Sequence, residues 1–246
     1  MVGHGSNADG DRSEALVNEI AVHKPVRYRD RWGVLSAIRH ALIQRLAYTF
    51  GIRIYGIYTR PVEPPVGPGP VVPGFIFRSY AAGDEIPLLA AAERPELGID
   101  ETFVRNAFAK GDVCDAIHYN GQIVSFHWAA FNATHDHDGV FIEFGDDYRY
   151  NYFSYTLPEF RGRHLPRLFK PLRDLNSVAR GRTRCISYIS IDNDASMRAA
   201  EGNGNRRVGF AGYVARGPLF VAFRTPGARN CPMRFFKPKS SATSVN

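Results

Sequence analysis

Cysteine is scarce in this 246-residue chain: Cys114, Cys185 and Cys231 stand far apart and are odd in number. No CxxC pair and no Cys/His spacing occurs, so neither a disulfide framework nor a zinc site is indicated. A reducing, cytoplasmic setting fits that usage. Also absent is any apolar run near the ~18 residues that a membrane-spanning helix needs. Residues 1–30 are polar and charged and lack the apolar stretch of a secretory signal. Acidic side chains are outnumbered, 24 against 31 Lys and Arg, for a net charge of +7. That balance suits anionic partners such as a phosphate-bearing cofactor, an acidic carrier protein or an anionic membrane surface. The basic residues are scattered and carry no RNA- or DNA-binding signature, so nucleic acid is not an expected partner.

Aromatic residues are plentiful, with 17 Phe and 12 Tyr, which points to strands more than to a helical bundle. Residues 1–30 read as disordered. Within 31–60, Leu35, Ile38, Leu42, Leu46 and Phe50 recur at helical spacing, Gly51 is a natural stop, and "IRIYGIYTR" has strand composition. The apolar face of this helix is expected to pack on the body of the protein or on a second subunit, as the arm of a homodimer. A basic amphipathic helix can also lie peripherally on a membrane surface. The stretch 61–74, "PVEPPVGPGPVVPG", reads as a semi-rigid linker and a boundary.

Residues 75–225 then form the main domain. "FIFRSY" is a strand, and "DEIPLLAAAERPE" and "DETFVRNAFAKG" are helices. Two β-rich runs either side of Asn120–Gly121 make a hairpin. "GVFIEF" and "YRYNYFSYTL" are further strands, "PRLFKPLRDLNSVARG" is a helix, and "RCISYISI", "DASMRAAEG" and "VGFAGYVARGPLFVAFRT" add a strand, a short helix and two final strands. The fold class is α/β, with a mixed sheet flanked by helices. Residues 226–246 read as a basic C-terminal tail, mobile at its end.

The stretch "LPEFRGRHLPRL" at 157–168 runs from a strand through a basic, glycine-bearing turn into a helix. Free N–H groups and the helix dipole make such an end a site for phosphate; Gly162 lets the backbone approach, and Arg161, Arg163 and Arg167 add charge. Together with "ISYISIDNDAS" and "VGF", this block resembles the GCN5-related N-acetyltransferase superfamily. The resemblance covers most of 75–225 and implies that family's mostly antiparallel sheet and an acyl transfer from acyl-CoA, acetyl-CoA included, to an amine. It further implies a pyrophosphate held by the amides of Arg161, Gly162, Arg163 and His164 with help from Arg167. A backbone N–H among Tyr155, Thr156 and Leu157 would face the thioester, and Asn193 and Ser196 would stand on the cofactor side. Asn193 or Asp192 also reads as a helix cap. Where the family has small residues this chain has His164 and Pro166, and Pro166 offers no N–H. The tyrosine often found seven residues after the family's Asn is Ala200 here, which leaves Tyr188 or Tyr213 as the acid for the leaving thiolate.

Acyl transfer also needs a base for the ammonium. Glu143, on a strand among apolar neighbours, and His127, in "VSFHWAAF", are the candidates. "HDHD" at 135–138 offers His135 and His137 but no third ligand, so no metal is expected. The aromatics Tyr148, Tyr150, Tyr152, Phe153 and Tyr155 line an acceptor groove or pack the sheet. The acceptor class is a small-molecule amine, of a sugar or an amino acid. A long acyl chain delivered on an acyl carrier protein, or a non-catalytic acyl-CoA-binding module, are the alternatives.

Overall fold

At Asn120 and Gly121 the backbone turns left-handed twice (φ 49° and 78°), the geometry of a tight two-residue hairpin turn. It joins β3 (Val113–Tyr119) to β4 (Gln122–Ala130), with Tyr119 opposite Gln122. The computed structural model describes residues 33–67, 69–135 and 139–238. Around the hairpin lies an eight-stranded sheet in the order β10-β9-β1-β8-β7-β4-β3-β2. Its other strands are β1 (Ile52–Pro61), β2 (Phe75–Tyr80), β7 (Tyr148–Thr156), β8 (Arg184–Ser190), β9 (Arg206–Arg216) and β10 (Leu219–Arg224). All neighbours are antiparallel except β7 and β8, which run parallel. A second sheet holds β5 (Thr134–His135), β6 (Phe141–Phe144) and β11 (Met233–Phe236).

Helices cover both faces. Helix α1 spans Val34–Phe50, α2 Ile86–Ala92 and α3 Glu101–Ala109. Asp100 caps α3 by accepting the Phe103 amide (2.7 Å). Val104, Ala107 and Phe108 of α3 are buried, and Phe103 and Phe108 pack edge-on or tilted against the fully buried Trp128. A second core lies between the main sheet and the small one, where Ile142, Met233 and Phe235 meet Tyr55, Tyr150, Ile186 and Tyr213.

Four expectations change. The strand before the Pro/Gly stretch does not stand outside the main domain: β1 lies between β8 and β9, and its Ile57 and Tyr58 are fully buried. Helix α1 is inverted relative to its apolar pattern. Leu35, Ile38 and Leu42 are 84, 59 and 56 % exposed. Polar residues dock it instead: Ser36 and Arg39 bond Asp194, and Gln44 and His40 meet Asp192 (2.7 and 3.0 Å). The expected single helix from Pro166 is two, α4 (Leu165–Leu168) and α5 (Lys170–Ala179), broken where Pro171 lacks an N–H. The first part of the C-terminal tail is ordered: α7 (Pro226–Arg229) leads to β11, which pairs with β6. Helix α6 (Asp194–Gly202) forms as expected, with Asn193 accepting the Ser196 amide (3.0 Å).

Candidate functional site

The parallel neighbours β7 and β8 pair only from Tyr148 to Tyr150, opposite Arg184 to Ile186. Beyond that point β7 stays with β4, and β8 stays with β1. The sheet therefore splits, and a cavity of about 1140 Å³ fills the split. Tyr150–Thr156 line one wall and Ser187–Ser190 the other.

Strand register decides which backbone groups face this gap. The Leu157 amide donates to the Val124 carbonyl (2.9 Å), and the Tyr155 carbonyl accepts from Ser125 Oγ (3.1 Å), so both point toward β4. Antiparallel alternation then turns the N–H groups of Ser154 and Thr156 toward the split. Of Tyr155, Thr156 and Leu157, the one whose N–H turns toward the split is Thr156. Leu157 is buried and its amide is already bonded.

Arg161 opens the basic turn, lines the cavity, and donates from Nε to the Thr156 carbonyl (3.0 Å). Its guanidinium lies over the Tyr155 ring. Gly162 (φ 79°) and His164 (φ 55°) are both left-handed, a conformation small residues adopt most readily and His only occasionally. The amides of Gly162, Arg163 and His164 have no partner among the described residues. Gly162, Arg163, His164 and Arg167 are exposed on this turn. Asn193 and Ser196 line the opposite side of the cavity, so the cap of α6 and the cavity wall are the same residues.

His127 also lines the cavity. Burial, with Arg173 and Arg149 nearby, outweighs the Asn151 side chain and holds its pKa well below the usual histidine value, and its Nε2 is shut away without a hydrogen-bond partner among the described residues. The other two expected catalytic side chains lie elsewhere. Glu143 sits on β6 of the small sheet, with a half-exposed side chain paired to Arg234, so the apolar setting expected for it is absent. Tyr213 is fully buried in the second core against Phe235 and Phe220 and does not line the cavity. Tyr188 does line it, stacked on Tyr150 across the parallel junction (centroids 5.2 Å apart). His135 lines the cavity mouth; His137 falls outside the described residues. Among the described residues, no cluster of three metal-ligating side chains exists.

A buried acidic group escaped the sequence reading. Asp112, at the foot of β3, is 1 % exposed. The Tyr152 hydroxyl donates to its Oδ2 (3.0 Å), Lys110 Nζ lies 3.0 Å from the same oxygen, and Oδ1 has no partner. Burial raises the Asp112 pKa, outweighing Lys110 and Tyr152, which lower it. Burial and then Asp112 raise that of Tyr152. Tyr152 and Lys110 line the cavity, so Asp112 reaches it through them. Its only signal in the sequence was the "GD" before a strand, too common to single out.

No family model matches this sequence, and no curated protein matches it. Solved structures of acetyltransferases do resemble its fold. One from the GNAT family of Novosphingobium aromaticivorans has a TM-score of 0.40 at 17 % identity, over 63 % of this chain and 61 % of that one. The chain thus spans less than two thirds of that protein's length. A GCN5-related N-acetyltransferase from Sphaerobacter thermophilus has a TM-score of 0.44 at 15 % identity, over 79 % and 57 %. An aminoglycoside N-acetyltransferase solved with CoA has 0.41 at 16 %, over 63 % and 99 %.

Proposed function

We propose that this protein is an N-acyltransferase that moves an acyl group, acetyl in the simplest case, from acyl-CoA to the amine of a small molecule. The observation that carries the reading is the split of the sheet between β7 and β8, beside a turn with three unbonded amides. A split between parallel strands gives a thioester arm a path through the sheet, and the turn suits a pyrophosphate at its entrance. The Thr156 N–H would polarise the thioester carbonyl. The amine nitrogen attacks the carbonyl carbon, the carbon–sulfur bond breaks, and the acyl group ends on nitrogen.

Two protons must move. Tyr152 would take the amine proton as its own passes to Asp112, the buried carboxylate whose raised pKa suits it to that task. Tyr188 would protonate the leaving thiolate, taking the place of the tyrosine that the short helix lacks. His164, in a left-handed position at the head of α4, would serve a phosphate through its amide.

Calorimetric titration with acetyl-CoA, a long-chain acyl-CoA and CoA tests the donor. Free thiol release with a panel of amines, amino sugars and amino acids among them, tests the transfer. Binding in the micromolar range with amine-dependent thiol release is the expected result. A folded protein that binds none of the three coenzymes would overturn the reading.

A further inference from the structure

Beneath α5 the sheet carries more cation than anion. Arg60 of β1, Arg149 of β7 and Arg173 of α5 are 8, 2 and 8 % exposed. Two buried carboxylates meet two of these guanidinium groups. Asp174 accepts from both terminal nitrogens of Arg60 (2.6 and 2.8 Å), with Lys170 3.2 Å away. Asp115 accepts from Arg149, from the Ser79 hydroxyl (2.8 Å) and from the Asn176 amide (3.1 Å). Arg173 has no carboxylate within ion-pair distance among the described residues. Its Nη2 donates to the Pro166 carbonyl, while its Nε is buried and has no hydrogen-bond partner.

Arg173 lines the cavity, and so does His127, whose Nε2 is the second buried and unpartnered nitrogen on this side. Burial and the nearby Arg149 lower the Arg173 pKa only to about 10, so the group stays charged at neutral pH. A buried charge with an unbonded N–H is strongly unfavourable unless something meets it. Facing a cavity, that something is a water or a ligand that enters it.

We propose that the α5 side of the cavity binds an oxyanion, the carboxylate or phosphate of a substrate, through Arg173 Nε and His127 Nε2. Arg60 and Arg149 add field but have their own carboxylates. What the oxyanion is attached to rests on the acyltransferase reading: it is either a phosphate of the donor or an acid group on the acceptor amine. The binding itself does not rest on it.

The test uses the full chain without coenzyme, titrated calorimetrically with inorganic phosphate and with acetate. Binding of phosphate or acetate is expected, weakened tenfold or more by Arg173→Met and by His127→Gln, because charge-assisted bonds of this kind are the strong ones. Arg173→Met removes an unmatched buried charge, so in phosphate-free buffer it should melt no lower than the parent. A parent that binds neither anion overturns the proposal. So does an Arg173→Met protein that melts lower yet binds phosphate as well as the parent. Displacement of phosphate by CoA assigns the site to the donor. Simultaneous binding assigns it to the acceptor, and amines bearing a carboxylate or phosphate should then react faster than uncharged ones. Thiol release without anion binding would sink this proposal alone, and anion binding without coenzyme binding would sink only the acyltransferase reading.

Discussion

Single residues in this protein are set by what surrounds them more than by their type. Asp112 and Glu143 are both carboxylates near strands, yet one is shut in with Tyr152 and Lys110 while the other faces solvent beside Arg234. Burial favours the protonated form of Asp112. As a base it works only when ionised, so kcat/KM should rise with pH through its pKa, which burial raises above the ordinary aspartate value. Asp112→Asn should flatten that limb and lower the rate by about 10²–10⁴, the usual size of general-base catalysis. Tyr152→Phe should cut the rate in the same way while the protein still binds coenzyme. A pH–rate profile of the two variants checks this. An unchanged acid limb in Asp112→Asn would remove Asp112 from the reaction.

Elements here follow their contacts as well as their patterns. The apolar spacing of α1 made a helix legible, and a helix forms, but its apolar side faces out. The reason is electrostatic: Asp192 and Asp194 at the head of α6 take Gln44, His40, Ser36 and Arg39, and those four share one side of the helix. Helix α5 likewise rests on the sheet through buried ion pairs and hydrogen bonds, and Arg173, Asp174 and Ser177 are its buried residues. Burial works against the ionised form of Asp174, but the hydrogen bonds and charge of Arg60 outweigh it, and its pKa is lowered. Replacing Arg60 by Met leaves Asp174 and the Glu63 amide with Lys170 as the remaining cation. The expected loss is about 3–5 kcal/mol, the cost of stranding one partner of a buried pair. Chemical denaturation measures it. A loss under about 1 kcal/mol would mean that Lys170 suffices.

At the scale of the whole molecule, the first described strand is a central one. A chain beginning at Gly74 lacks β1, so β8 loses its antiparallel neighbour and β9 and β10 lose their link to the sheet. Such a chain should show no cooperative melting transition, because two strand edges and the sites of Ile57 and Tyr58 are laid open. Near-native circular dichroism with a sharp transition would refute that. By itself the sequence determined the elements governed by local chemistry: the Asn120–Gly121 hairpin, the helix starting at Asp100, the Asn193 cap, and the glycine-bearing turn at 161–164 between a strand and a helix. Their causes act within a few residues along the chain. Tertiary structure alone decided that β1 joins the sheet across the Pro/Gly stretch, that β7 and β8 part after Tyr150, and that Arg173, His127 and Tyr152, the partner of Asp112, face one cavity while Glu143 and Tyr213 do not. Those outcomes depend on pairings between strands far apart along the chain, β1 with β8 and β9 and β7 with β8, and no local pattern records a pairing at such distances.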